Sequence, residues 1–214
     1  MIFSYLLSLV VISVHLCSIK KEQAMLNSIS KIMIIPSLFL SFFLTSSALG
    51  LTLSGVEPLL CALLFYTLGD LLMELKGKFK FGALSFALGH VSYIVYFLMH
   101  GFSLPDGVLW ALLWFSSFFF YFSSFVPIKG DGMLITYAIL LLLFGSAVGA
   151  SGESGFQMHK IYAFFGVVAY TFSDSLLIIQ KKRGDHNDEL MVMMTYYAAN
   201  LMLLLGVLFL NLGI

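Results

Sequence analysis

The sequence predicts an all-α membrane protein, a bundle of eight transmembrane helices that forms one domain over residues 1–214. Of its residues, 60% are hydrophobic and 10% are charged, whereas a soluble domain carries roughly 25% charged residues. Apolar stretches recur that are long enough for the ~30 Å hydrocarbon core, which a helix of ~20 residues crosses. The basic residues, finally, gather in every second gap between these stretches.

Eight apolar segments are expected to cross the bilayer as helices, because backbone groups in lipid must find their partners within the segment. In chain order they are 2–19, 32–49, 57–75, 81–99, 107–125, 133–150, 158–180 and 190–210. The first lacks the basic start and small-residue cleavage site of a secretion signal. The second has the least certain start, because Pro36 and a run of Ser and Thr follow Lys31.

The charge pattern orients these segments. All basic residues except Lys160 follow the first, third, fifth and seventh segments: Lys20, Lys21, Lys31, Lys76, Lys78, Lys80, Lys129, Lys181, Lys182 and Arg183. The positive-inside rule places these gaps in the cytoplasm and both termini outside. We therefore expect a multi-pass protein of a bacterial inner membrane, and an even number of helices.

Composition also excludes several classes. A formal net charge of zero argues against nucleic acid as a partner. Cys17 and Cys61 both lie in apolar segments and predict no disulfide framework. Well inside the spans, the only histidines are His15 and His90, which is not the ligand set that zinc requires. No metal and no cofactor is expected, and the oligomeric state is left open.

Asp70 and Asp174 are the most informative residues, since both lie inside apolar segments. An ionised carboxylate in hydrocarbon costs at least a few kcal/mol, so such residues usually face a protein-lined cavity and have a function. Asp70 precedes Lys76 by six residues and Asp174 precedes Lys181 by seven, which places both ~10 Å deep at 1.5 Å per residue.

Further polar residues fall at a similar depth and predict one polar layer drawn from at least five helices. They are His90, Tyr137, Tyr196, Tyr197 and Asn200. Each has a simpler interpretation: tyrosines near a membrane surface commonly form an aromatic belt, and a single histidine commonly bonds two helices together.

The two acids share a short repeated pattern, Tyr-Thr-x-small-Asp-x-Leu. It begins at Tyr66 and again at Tyr170, four helices later and with the same orientation. Two parallel four-helix halves would bring equivalent helices to a common axis.

At these residues the chain resembles the lysoplasmalogenase, or YhhN, family of multipass membrane proteins. The points of similarity are Lys31, Gly69-Asp70, Gly82 through Phe86 to His90 and Tyr93, Tyr137, Ser173-Asp174 and Thr195-Tyr196-Tyr197. The chain departs from the family pattern at Asn200, where relatives have Gln, and at Ile32, where they have Pro.

The resemblance implies hydrolysis of the vinyl ether bond of alkenyl lysophospholipids, giving a fatty aldehyde and a glycerophospho-ethanolamine or -choline. The implied substrate is thus a lysophospholipid drawn from the bilayer. Asp70 and Asp174 would form the catalytic pair, in the manner of paired carboxyls in glycoside hydrolysis. The implied supporting or substrate-binding residues are Lys31, His90, Tyr93, Tyr137, Tyr196, Tyr197 and Asn200.

Two other classes stay open. A proton-coupled transporter of a small or lipid-like solute could use the same acids as a relay, although the third and seventh segments lack the Gly/Pro break that is typical of transport sites. A lipid-binding or scaffolding protein without chemistry would not require two buried acids.

Overall fold

A computed structural model describes residues 5–52, 55–125, 132–184 and 188–214, and in these ranges the chain is almost entirely α-helical. The helices are α1 Leu6–Lys20, α2 Ala24–Ala48, α3 Glu57–Glu74, α4 Phe79–Met99, α5 Leu104–Phe125, α6 Gly132–Ala150, α7 Met158–Arg183 and α8 Glu189–Leu212. Each predicted segment is therefore confirmed as a helix. Lys129 lies outside the described residues.

The largest difference from the prediction is the start of α2, which lies at Ala24 instead of residue 32. The reason is a tight turn after α1, in which Glu22 adopts a φ of 54° and the N–H of Gln23 donates to the carbonyl of Ser18. Helix α7 likewise runs past residue 180 and ends at Gly184, whose φ of 72° is the usual left-handed helix stop.

In the described ranges, four helices are long and apolar enough to cross a membrane: Ala24–Ala48, Phe79–Met99, Met158–Lys181 and Glu189–Leu212. Leu6–Lys20, Leu104–Phe115 and Ile135–Ala150 are shorter apolar helices, and α3 carries three carboxylates within its length. The fold is thus an all-α bundle of the membrane type, while eight crossings remain a prediction. Many large apolar side chains lie exposed on it, as lipid contact requires.

The helices pack as four consecutive hairpins: α1 with α2, α3 with α4, α5 with α6, and α7 with α8. Helix α2 packs on α3 as α6 packs on α7, and α4 packs on α6 as α8 packs on α2. The same contacts thus recur after a shift of four helices, which agrees with the two predicted halves.

The centre of the bundle is aromatic. Its largest fully buried side chains include Tyr66, Tyr93, Tyr96, Tyr170, Phe42, Phe97 and Phe144. Buried aromatic rings of this size leave few rotamers free, so polar groups attached to them or enclosed by them are held in fixed positions.

At the end of the bundle remote from the basic gaps, one buried ammonium group holds two parts of the chain together. Lys160, 1% exposed, donates to the Asp106 carboxylate at 2.6 Å and to the carbonyls of Glu153 at 2.8 Å and Gly155 at 3.2 Å. The three hydrogen bonds tie the start of α5 to the α6–α7 connection.

Candidate functional site

Asp70 lies one turn from the end of α3 and is 2% exposed. Its Oδ2 accepts a hydrogen bond of 2.8 Å from the phenol of Tyr196 on α8. The preceding Gly69 allows Phe86 of α4 to lie against the helix, because a Cβ there would come within 2.9 Å of that ring. The small residue before this acid is therefore a packing requirement.

Asp174 holds the matching place on α7, where its side chain is 14% exposed. Its Oδ2 accepts a hydrogen bond of 2.6 Å from the phenol of Tyr137. The same phenol lies 3.4 Å from Nε2 of His90, and that nitrogen is 3.9 Å from the carboxylate. Tyr137 thus bridges His90 to Asp174. The small residue before this acid, Ser173, donates its hydroxyl to the carbonyl of Val192.

Both carboxyls line one cavity of about 30 Å³, which we call the acid chamber. Its walls also include Lys31, Phe86 and Tyr196. A cavity needs roughly 10–15 Å³ to hold a water, so the chamber has room for a water beside the two acids. A second pocket of about 30 Å³, walled by apolar side chains, touches Asp174 and Tyr137.

A larger cavity of about 600 Å³ lies at the end of the bundle where the basic gaps meet. We call it the vestibule. It is lined by Asn27, Lys31, Met73, Glu74, Phe79, Leu177, Gln180, Lys181, Gly184, Glu189, Val192 and Met193. Five residues line both the vestibule and the acid chamber: Lys31, Met73, Leu177, Val192 and Met193. The two spaces therefore adjoin.

Charged and polar side chains from four helices meet at the vestibule. The Lys31 ammonium and the Glu74 carboxylate form an ion pair of 2.8 Å, and Ser28 donates to the second oxygen of Glu74 at 2.5 Å. On the other side, the amide of Asn27 donates to Glu189 at 3.1 Å. These contacts hold α2 to α3 and α2 to α8 around the opening.

Two buried tyrosines support the site from deeper in the bundle. The hydroxyl of Tyr66 lies 2.8 Å from Nδ1 of His90, and the hydroxyl of Tyr170 donates to Asn200 at 2.9 Å. Asn200 in turn donates to the backbone carbonyl of Tyr196 at 2.9 Å. Hydrogen bonds therefore hold the imidazole of His90 in place beside Tyr137. They also hold α8, which carries Tyr196, against α7.

Four of the five residues predicted to form one polar layer lie together in the structure, and the fifth lies apart. Tyr137, His90, Tyr196 and Asn200 all belong to the network around the acids, but the hydroxyl of Tyr197 lies 3.1 Å from that of Ser8 on α1. Successive helical residues point about 100° apart, so adjacent tyrosines on α8 cannot both face the acids.

Tyr93 is fully buried with its ring 5.7 Å from that of Tyr66. Its hydroxyl has no hydrogen-bond partner within the described part of the chain. Tyr93 thus contributes to the aromatic packing under the site and does not touch either acid through its phenol.

Sequence analysis did not single out Tyr66, Tyr170 or Glu74 as site residues. The repeated pattern contained both tyrosines, and Glu74 lies one helical turn beyond Asp70. Over the described ranges, no three His, Cys, Asp or Glu side chains come together as a possible metal site.

Comparison with known protein families gives a match to the YhhN family over residues 26–207. The match includes both acids and every helix except α1, although only part of α2 and α8 is covered. No curated protein and no solved structure gives a significant match. The matched region spans most of the chain, and the protein therefore belongs to the YhhN family.

Proposed function

We propose that this protein hydrolyses the vinyl ether bond of alkenyl lysophospholipids by acid–base catalysis with Asp70 and Asp174. The observation that carries the proposal is that both carboxyls, each bonded to its own tyrosine, line one water-sized chamber next to a charged vestibule. Membership of a family with lysoplasmalogenase-like members supports it.

The reaction needs one proton donor and one activated water. A protonated carboxyl delivers its proton to the alkene carbon remote from the ether oxygen, and the positive charge moves to the adjacent carbon and the oxygen as an oxocarbenium ion. The ionised carboxyl stabilises this cation and then removes a proton from the attacking water. The resulting hemiacetal collapses to a fatty aldehyde and a free glycerol hydroxyl, so one water is consumed.

In this mechanism the residues bonded to the two acids have supporting roles. Tyr137 and Tyr196 orient Asp174 and Asp70, and His90 positions Tyr137. Hydrogen bonds to a charged acceptor contribute more than neutral ones, about 1.5–3 kcal/mol each. Asn200 positions Tyr196 through its backbone carbonyl.

The cavities fit a single-chain lipid entering from the end with the basic gaps. The headgroup would occupy the vestibule, with its phosphate near Lys31, and the vinyl ether would reach the acid chamber just beyond. The apolar pocket beside Asp174 would receive the first carbons of the chain. The scissile bond of such a lipid adjoins its glycerol, which matches a site ~10 Å below the surface.

The experiment is aldehyde release from an alkenyl lysolipid by the purified protein. The saturated alkyl ether of the same chain and headgroup is the matched control: it should bind as a competitive inhibitor and never react, because it has no alkene to protonate. The ester lysolipid should be a poor substrate, since acyl transfer needs a nucleophile and an oxyanion hole. Rapid ester hydrolysis would instead show a general lysophospholipase.

A proton-coupled transporter remains the alternative. Helices α3 and α7 are continuous through both acids, without the unwound segment typical of transport sites. Proton flux across reconstituted vesicles, without aldehyde formation from any alkenyl lipid, would favour the transporter.

A further inference from the structure

Among the residues that the structure describes, the vestibule is lined by charges of both signs in equal number. Lys31 and Lys181 supply two ammonium groups, and Glu74 and Glu189 supply two carboxylates. A cavity of this kind is electrically matched to a ligand that itself bears one positive and one negative group. A purely anionic ligand would leave the carboxylates facing like charge, which costs binding free energy.

Only two of these four charged groups form an ion pair with each other. Lys31 and Glu74 neutralise each other, whereas Lys181 and Glu189 form no ion pair within the described residues. Lys181 lies over the ring of Phe79 at 5.2 Å, and Glu189 accepts only the amide of Asn27 as a side-chain donor there. One cation and one carboxylate of the vestibule are therefore available to a ligand.

Asn27 adds a side-chain oxygen that has no hydrogen-bond donor among the described residues. Its Nδ2 donates to Glu189, but its Oδ1 is buried with no hydrogen-bond partner in the part of the chain that the structure describes. Leaving a buried acceptor unpaired costs roughly 1–3 kcal/mol. Asn27 lines the vestibule, so a rotation of its side chain would present Oδ1 to an N–H donor beside Glu189 and remove that cost.

We propose that Glu189 and Asn27 form a subsite for a primary ammonium, and that Lys181 receives the adjoining phosphate. This inference rests on the proposed function in taking the ligand to be a lysophospholipid. A primary ammonium has three N–H donors, enough for the Glu189 carboxylate and the Asn27 carbonyl together. A quaternary ammonium has the charge without the donors, so an ethanolamine headgroup should be preferred to choline, and choline to an uncharged glycerol headgroup.

The test measures binding alone and uses saturated alkyl-ether lysolipids, which cannot turn over. Ethanolamine, choline and glycerol headgroups on one chain are compared by calorimetry with the full-length protein in detergent. The wild type should bind the ethanolamine lipid about tenfold more tightly than the glycerol lipid, equal to ~1.4 kcal/mol. Glu189→Gln should abolish this preference while keeping the acceptor for Asn27, so the α2–α8 contact survives.

Two further variants make the result specific. Asn27→Ala should reduce the preference for ethanolamine over choline and leave choline over glycerol in place, because only the N–H acceptor is lost. Glu57→Gln is the matched control, since this exposed glutamate begins α3 at the opposite end of the helix from Glu74, and it should keep the wild-type order.

Equal affinity of the wild type for the three headgroups would overturn the subsite, as would an unchanged order in both Glu189→Gln and Asn27→Ala. The outcomes separate the two proposals. Headgroup discrimination without aldehyde release from any alkenyl lipid would contradict the proposed function alone, and aldehyde release without discrimination would contradict the subsite alone.

Discussion

The rings of Tyr66 and Tyr170 pack with their centroids 5.3 Å apart, although one belongs to α3 and the other to α7. Each tyrosine begins one copy of the repeated pattern, four residues before an acid. Each also bonds to the next helix of its own half, Tyr66 to His90 and Tyr170 to Asn200. The two copies of the repeat are thus in contact through equivalent tyrosines, and Asp70 and Asp174 lie on the wall of one chamber.

Replacement of either acid should remove catalysis without unfolding the bundle. Asp70→Asn and Asp174→Asn preserve shape but lose ionisation and acidity, so each should lower kcat by roughly 10²–10⁴-fold. Aldehyde release is measured beside a thermal melt of the same preparation. A folded variant with more than about a tenth of wild-type activity, a loss of only ~1.4 kcal/mol, would remove that residue from the pair.

The two adjacent tyrosines of α8 provide an internal comparison. Tyr196→Phe removes the hydrogen bond to Asp70 and should lower kcat roughly 10- to 100-fold, and Tyr137→Phe should do the same for Asp174. Tyr197→Phe removes a contact with Ser8 on α1 instead, so kcat should stay within about twofold. Equal losses for Tyr196→Phe and Tyr197→Phe would mean that α8 acts only through its packing.

The Lys160 contacts should matter for stability and not for substrate handling. Lys160→Met leaves Asp106 without its ion-pair partner and two carbonyls without a donor, so the melting temperature should fall by several degrees. The site lies at the opposite end of the bundle from the vestibule, and KM should be unchanged. A change in KM at constant stability would contradict this separation.

The positions of the basic residues predict the orientation of the chain in the membrane. A reporter fused after Ile214 should behave as extracytoplasmic, and one inserted after Gly184 should behave as cytoplasmic. A cytoplasmic C-terminus would mean that the number of crossings is odd or that the positive-inside rule does not hold for this chain, and the vestibule would then require a new assignment of its side.

Sequence reasoning located the helices and the acids because both leave strong local signals. Apolar runs of fixed length mark the spans, and a carboxylate inside such a run stands out against its surroundings. The early start of α2 was missed because its first turns carry polar residues that contact the vestibule, including Asn27 and Lys31.

The direction in which a side chain points around its helix was harder to predict than its depth. Depth alone assigned Tyr196 and Tyr197 to one layer, yet they face different helices. The Lys31–Glu74 pair joins α2 to α3, and no spacing within one helix predicts which residues of two helices will meet. Such contacts depend on how the hairpins pack against one another.

The most direct test of the central claim is hydrolysis of an alkenyl lysolipid in deuterated water. Protonation of the alkene by a carboxyl that exchanges with solvent should place deuterium on the carbon next to the aldehyde carbonyl. The product must be trapped at once, because later enolisation would introduce the same label. Trapped aldehyde with deuterium at that carbon is the predicted result, and unlabelled aldehyde would contradict acid catalysis at the vinyl ether by Asp70 and Asp174.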